Sequence, residues 1–154
     1  MLDQDAILEL LREARAAKEF AYAPYSGFRV GSCVLMEDGR IFSGCNVENA
    51  AYGDTICAER TAILKAVSNG SRTLVAIAIT GDSAELTYPC GSCRQVIHEF
   101  AGPDTLVVVS DRELHYRVFP FHELLPGLFC RVYMRFKPQY MPKALSCTCR
   151  RFFD

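Results

Sequence analysis

Two short segments hold residue types whose spacing could do chemistry: Thr55-Ile56-Cys57-Ala58-Glu59-Arg60 and Tyr88-Pro89-Cys90-Gly91-Ser92-Cys93-Arg94-Gln95. Cysteines three apart in a first helical turn can both face one metal ion. With Cys57 added, three thiolates fill three corners of a zinc tetrahedron and leave the fourth open. A closed set of four protein ligands is structural, whereas an open corner is the mark of a catalytic site. Water in that corner ionises at a pKa lowered to about 7. Three thiolates on one Zn2+ leave about one net negative charge, which weakens the Lewis acid. A positive group must compensate, and Arg60 is the candidate to donate to the sulfurs. Glu59, two residues after Cys57, can reach a group in the open corner without being a ligand. A buried carboxylate there suits a proton shuttle.

Both segments sit where a loop turns into a helix. Helix N-termini present unpaired N–H groups and partial positive charge, which favours thiolate over thiol. Ala58–Ser68 has apolar residues at helical spacing, closed by Asn69-Gly70. Gly91–Phe100 reads as a second such helix, ended by Gly102-Pro103. Residues 3–20 place Ile7, Leu8, Leu10, Leu11, Ala14 and Ala17 near one face and predict an N-terminal helix. Ala23-Pro24-Tyr25-Ser26-Gly27 breaks it. Phe28–Met36 and Arg40–Val47 flank Glu37-Asp38-Gly39 and predict a hairpin. Leu74–Thr80 and Leu106–Ser110 read as buried strands, with a weaker strand at Tyr116–Phe119. This order predicts an α/β domain: three α/β/α layers around a mixed sheet of about five strands.

Cys57-Ala58-Glu59-Arg60-Thr61-Ala62 and Pro89-Cys90-Gly91-Ser92-Cys93-Arg94-Gln95-Val96, together with Ala23-Pro24-Tyr25-Ser26, Phe28-Arg29-Val30-Gly31, Gly44-Cys45-Asn46-Val47-Glu48-Asn49-Ala50 and Glu123-Leu124-Leu125-Pro126, resemble the small homotetrameric zinc-dependent cytidine deaminases. The resemblance runs from about Leu8 to Phe129. It implies a cytidine deaminase-like fold, one zinc ion per chain on Cys57, Cys90 and Cys93, and hydrolysis of cytidine and deoxycytidine to uridine and deoxyuridine plus ammonia, as in pyrimidine salvage. It implies that Asn46 and Glu48 hydrogen-bond the ribose. Phe28 would pack on the pyrimidine, and backbone groups around Ala58 and Pro89 would read the base edge. Tyr52 and Phe129 would close the pocket of a neighbouring subunit, giving a homotetramer with shared active sites. From the residues alone, Asn46 and Glu48 read better as turn chemistry after a strand than as ribose contacts.

The rest of the composition narrows the alternatives. The chain has 154 residues, half of them apolar, enough for one core without disulfide staples. Its N-terminus is acidic and amphipathic rather than a signal peptide, so its eight cysteines favour metal or redox chemistry over disulfides and point to the cytoplasm. No apolar run is long enough to span a bilayer. The formal net charge of −1 gives no general case for nucleic-acid or membrane binding. Residues 130–154 carry six Lys/Arg and one acid, which leaves residues 1–129 at about −6. The chain therefore divides into a catalytic domain, 1–129, and a divergent basic tail, 130–154, with Cys130, Cys147 and Cys149. Tyr88 replaces the small Ser common before Pro-Cys in the family. Rival readings are a deaminase of blasticidin-type cytosine antibiotics, a polynucleotide editor using the basic tail, and a non-catalytic zinc-stabilised binding module.

Overall fold

The computed structural model describes residues 2–126; Phe129 and the tail 130–154 lie outside the described residues. Helix α1 (Gln4–Lys18) is capped by Asp3, whose Oδ1 accepts from the Ala6 N–H at 2.8 Å. It is three residues shorter than the predicted 3–20, beginning one residue later and ending two earlier. After Lys18 the chain turns so that the Tyr22 N–H reaches the Asn46 carbonyl and the Glu48 N–H reaches the Tyr22 carbonyl.

Strands β1 (Val30–Met36) and β2 (Ile41–Cys45) form the expected hairpin, with Gly39 at φ 80° in the turn. Both are shorter than expected, because their ladder stops at Gly31 opposite Cys45. A short 3-10 turn at Tyr52–Asp54 precedes α2 (Ala58–Ser68), which Gly70 closes at φ 96°. Strand β3 (Leu74–Gly81), helix α3 (Gly91–Phe100), strand β4 (Ala101–Ser110), strand β5 (Tyr116–Pro120) and a single turn α4 (Phe121–Leu124) follow.

Helix α3 ends at Phe100 as expected, but β4 begins at Ala101 rather than Leu106, so Gly102-Pro103 lies inside the strand. Proline has no N–H for a ladder. The β3–β4 register accordingly jumps, from Leu74 opposite Ala101 to Ala76 opposite Leu106. The irregularity gives Pro103 a place.

Among the described residues the sheet order is β2-β1-β3-β4-β5, with β3 and β4 parallel and the other neighbours antiparallel. On one face, Ile7, Leu10, Leu11 and Ala14 of α1 pack against Cys33, Ala76, Ala78 and Val108. On the other, Ala62, Ile63 and Ala66 of α2 and Ile97 of α3 pack against Val34, Ile77, Ile79, Val107 and Val109. Alternate residues of β3 and β4 thus serve opposite faces, as the period of a strand demands. The result is the three-layer α/β/α arrangement with five strands. Two glycines permit close approach. A Cβ on Gly31 would lie 1.9 Å from the Ala14 carbonyl oxygen, and one on Gly44 would lie 2.6 Å from the Ala62 nitrogen.

This topology positions the chemistry. Strands β2 and β3 both run antiparallel to β1, so they point the same way. The loops that follow them leave the same end of the sheet. One loop leads into α2 and the other into α3, so the two cysteine segments meet. No helix among the described residues is long and apolar enough to cross a membrane.

Candidate active site

Cys57 and Cys90 are the N-caps of α2 and α3, with extended backbone (φ −71°, ψ 155° and φ −68°, ψ 169°). Neither uses its side chain to cap its own helix, so both sulfurs are directed elsewhere. Cys93, one turn into α3, is fully buried. The three Sγ atoms lie within 4.8 Å of one another, and Cys57 and Cys90 are 3.9 Å apart. Zn–S bonds of about 2.3 Å in a tetrahedron place sulfurs about 3.8 Å apart, so the trio fits that ion with small adjustment. No other His, Cys, Asp or Glu joins the group among the described residues.

The electrostatics make the same case. Hydrogen bonding to Cys93, aided by Arg60 and opposed by burial, pulls the Cys57 thiol down to about 5. Cys93 moves the other way: its hydrogen bond to Cys57, its burial and the neighbouring negative charges all raise it. Three crowded sulfurs cannot all ionise without a cation between them, and a divalent metal resolves that conflict. Arg60 lies against the cluster, with Nη2 3.6 Å from the Cys57 Sγ and 2.6 Å from the Thr55 carbonyl oxygen. Its Nε is buried without a hydrogen-bond partner among the described residues.

Glu59 occupies the first turn of α2 and is only 4% exposed. Burial, with the nearby Cys57 charge, pushes its carboxyl up to about 7. A carboxyl poised there gains and loses a proton near neutral pH, as general acid–base work requires. Ala58 is fully buried beside it.

The remaining candidates surround this centre. Phe28 is 39% exposed, and its ring tip lies against Gly81, where a Cβ would be 2.9 Å from the Phe28 Cζ. Asn46 is buried; its Nδ2 donates to the Phe28 carbonyl at 2.9 Å, and its Oδ1 accepts from the Val30 N–H at 2.9 Å. One amide hydrogen and one lone pair remain for another partner. Glu48 accepts from the Tyr25 N–H at 2.8 Å, the Ser26 N–H at 3.2 Å and the Ser26 hydroxyl. Ser26 chiefly holds that carboxyl below its ordinary range, so Glu48 is an anion at neutral pH. Pro89 is buried, and its carbonyl accepts from the Arg94 Nε at 2.9 Å. Tyr52 is 73% exposed on its 3-10 turn, edge-on to Tyr25 with ring centroids 5.9 Å apart. The Tyr88 ring turns toward Phe119, 5.8 Å away, and packs on the strand β5 side. His98 stacks on Phe121, away from the sulfur group.

Sequence reasoning did not single out Ser26 as the group on Glu48. It also missed a charged cluster of Lys18, Arg29 and Asp82 behind Phe28. These partners lie 53 to 64 residues apart along the chain, and no local spacing announces them.

The chain matches the family profile of the cytidine and deoxycytidylate deaminase zinc-binding region over residues 5–110. It is 48% identical over 120 residues to a cytidine deaminase of Halalkalibacterium halodurans, covering 78% of this chain and 91% of that one. A probable cytidine deaminase of Dictyostelium discoideum is 41% identical over 129 residues, covering 83% and 86%. The fold is similar to the crystal structure of a cytidine deaminase from Burkholderia pseudomallei, with a TM-score of 0.76, 44% identity, and coverage of 83% of this chain and 100% of that one.

Proposed function

Given that this chain belongs to the cytidine and deoxycytidylate deaminase zinc-binding family, we propose that its reaction is the hydrolytic deamination of cytidine and deoxycytidine, carried out around Cys57, Cys90, Cys93 and Glu59. Cytidine and water become uridine and ammonia. The observation that carries this reading is the meeting of three sulfurs within 4.8 Å with a buried carboxyl on the same first turn of α2.

Cys57, Cys90 and Cys93 would hold zinc, which when bound activates water as a Lewis acid. Arg60 offsets the charge of the sulfurs through its contact with Cys57. Glu59 takes one proton from the attacking water and delivers it to the ring nitrogen beside the amino carbon. As the carbonyl forms it takes the second proton from the new hydroxyl on that carbon and passes it to the departing amine, which leaves as ammonia. Its burial on the first turn of α2, beside the sulfurs, suits it to both directions of that transfer. Phe28 packs on the pyrimidine. Backbone groups around Ala58 and Pro89 read the base edge, and Asn46 and Glu48 take the ribose hydroxyls. Tyr88 leaves the base side open by packing on Phe119.

Tyr52 and Phe129 complete the pocket of a neighbouring subunit in a homotetramer, and the enzyme works in pyrimidine salvage in the cytoplasm. The exposure of Tyr52 supports a contact made outside its own chain. The catalytic domain ends near residue 129, and the divergent basic tail 130–154 follows it.

The test is a spectrophotometric assay on cytidine, deoxycytidine and CMP, with metal analysis of the same sample and the mass in solution. Turnover of the nucleosides with about one zinc per chain is the expected result. Metal-loaded protein that releases no ammonia would leave only a binding module.

A further inference from the structure

Residues 28–30 lie beyond the β1–β2 ladder, yet every backbone polar group in them has a partner. The Phe28 N–H donates to the Ser26 hydroxyl at 3.0 Å, and its carbonyl accepts from Asn46 Nδ2 at 2.9 Å. The Arg29 N–H donates to Asp82 Oδ2 at 3.2 Å, and its carbonyl accepts from the Asp82 N–H at 3.2 Å. The Val30 N–H donates to Asn46 Oδ1, and its carbonyl accepts from the Asn46 N–H. Asn46 and Asp82 therefore grip alternate residues from opposite sides. Asn46 belongs to the nucleoside site already described, whereas Asp82 has had no role.

Asp82 is itself fixed from α1. Lys18, only 5% exposed, places Nζ 2.8 Å from Asp82 Oδ1 and 3.4 Å from the Gly81 carbonyl oxygen. Arg29 Nε adds a bond to Asp82 Oδ2 at 3.0 Å, while its Nη1 reaches Glu19 Oε2 at 2.9 Å. The same β3 end supplies the floor for the Phe28 ring, since that ring abuts Gly81.

We propose that Asp82, locked by Lys18, is a positioning residue that sets the Phe28 ring for the pyrimidine by gripping the backbone of Arg29. It acts on substrate binding through Phe28 and touches neither the sulfur cluster nor the substrate. This proposal rests on the reading of Phe28 as the base contact.

The experiment is a double-mutant cycle on the full-length, zinc-loaded enzyme with Asp82→Asn, Phe28→Ala and both together, reading KM and kcat on cytidine alongside zinc content and melting temperature. Asp82→Asn should raise KM about tenfold and change kcat less than about twofold, with zinc retained. In the Phe28→Ala background, where there is no ring to misplace, the same substitution should move KM by less than about twofold. A general structural role would instead lower kcat and zinc content, with effects that multiply in the double variant. That result, or an unchanged KM in Asp82→Asn, overturns the proposal. If Phe28→Ala alone leaves KM normal while Asp82→Asn raises it, the base-contact reading of Phe28 fails instead, and with it this route of action. Should Asp82→Asn fail to fold, Lys18→Met keeps the buried aliphatic stem and removes only the lock. A KM rise of about threefold that vanishes in the Phe28→Ala background supports the proposal, and one that persists overturns it.

Discussion

Arg60 donates through Nη2 to the Cys57 sulfur at 3.6 Å while the same nitrogen holds the Thr55 carbonyl at 2.6 Å. The contact spans the turn from loop to helix. It ties the guanidinium to the residue that caps α2 and places positive charge beside the sulfurs. Removing that charge should weaken metal retention before it disturbs the fold. Arg60→Met should lower zinc affinity or activity by about 10- to 100-fold, the usual cost of losing an outer partner of a metal ligand. Metal content after dialysis against a graded chelator series checks this. Affinity equal to that of the unmodified enzyme would show that the helix N-termini suffice.

The proposed proton shuttle makes its sharpest demand on Glu59. Glu59→Gln keeps the size of the side chain and removes its proton chemistry. It should retain zinc and lose deamination by at least about 10²–10⁴-fold, the typical contribution of general acid–base catalysis. Ammonia release and metal analysis on one preparation decide the matter; near-normal rates would rule out the shuttle.

Zinc removal separates the site from the scaffold. The two hydrophobic layers on the sheet do not involve Cys57 or Cys90. Chelation should therefore abolish turnover and lower the melting temperature by the linked binding energy, while leaving a cooperative transition. Calorimetry with and without added zinc shows this. A chain that loses its far-ultraviolet signal on chelation would contradict it.

Acid stability should carry the signature of Asp82. Burial works against its charge, but hydrogen bonds from Lys18 and Arg29 win and hold its pKa at about 2. A depressed carboxylate pKa stabilises the fold fully above its unfolded value, near 4, and that stabilisation disappears as pH falls toward 2. The difference in unfolding free energy between the unmodified enzyme and Asp82→Asn should shrink as the pH falls from 5 to 2. Urea midpoints at the two pH values measure it, and a constant difference would refute it.

Gly31 is a steric requirement rather than a turn residue. Its backbone needs no positive φ, but any Cβ would collide with the Ala14 carbonyl of α1 at 1.9 Å. Neither partner is a flexible side-chain end. Gly31→Ala should cost at least about 1–3 kcal/mol, the range for overpacking. Chemical denaturation gives the value directly.

The elements and the candidate site were legible in the sequence because each is written in local spacing. Helices α2 and α3 run over the residues that their apolar periods predicted. The Cys-x-Glu and Pro-Cys-x-x-Cys segments announced the sulfurs and the carboxyl, since their relative placement is set by a single helical turn. Where local signals competed with pairing, pairing won: Gly102-Pro103 entered β4, and residues 28–29 fell outside β1. Only the tertiary structure decided that β2 and β3 point the same way and so bring Cys57 to Cys90 across 33 residues. It alone showed Ser26 on Glu48, and Lys18 with Asp82 behind Phe28. The physical reason is common to all three. Such contacts satisfy backbone groups and charges that the sheet leaves unpaired at its end. Their partners are chosen by strand order and register, which residue spacing along the chain does not encode.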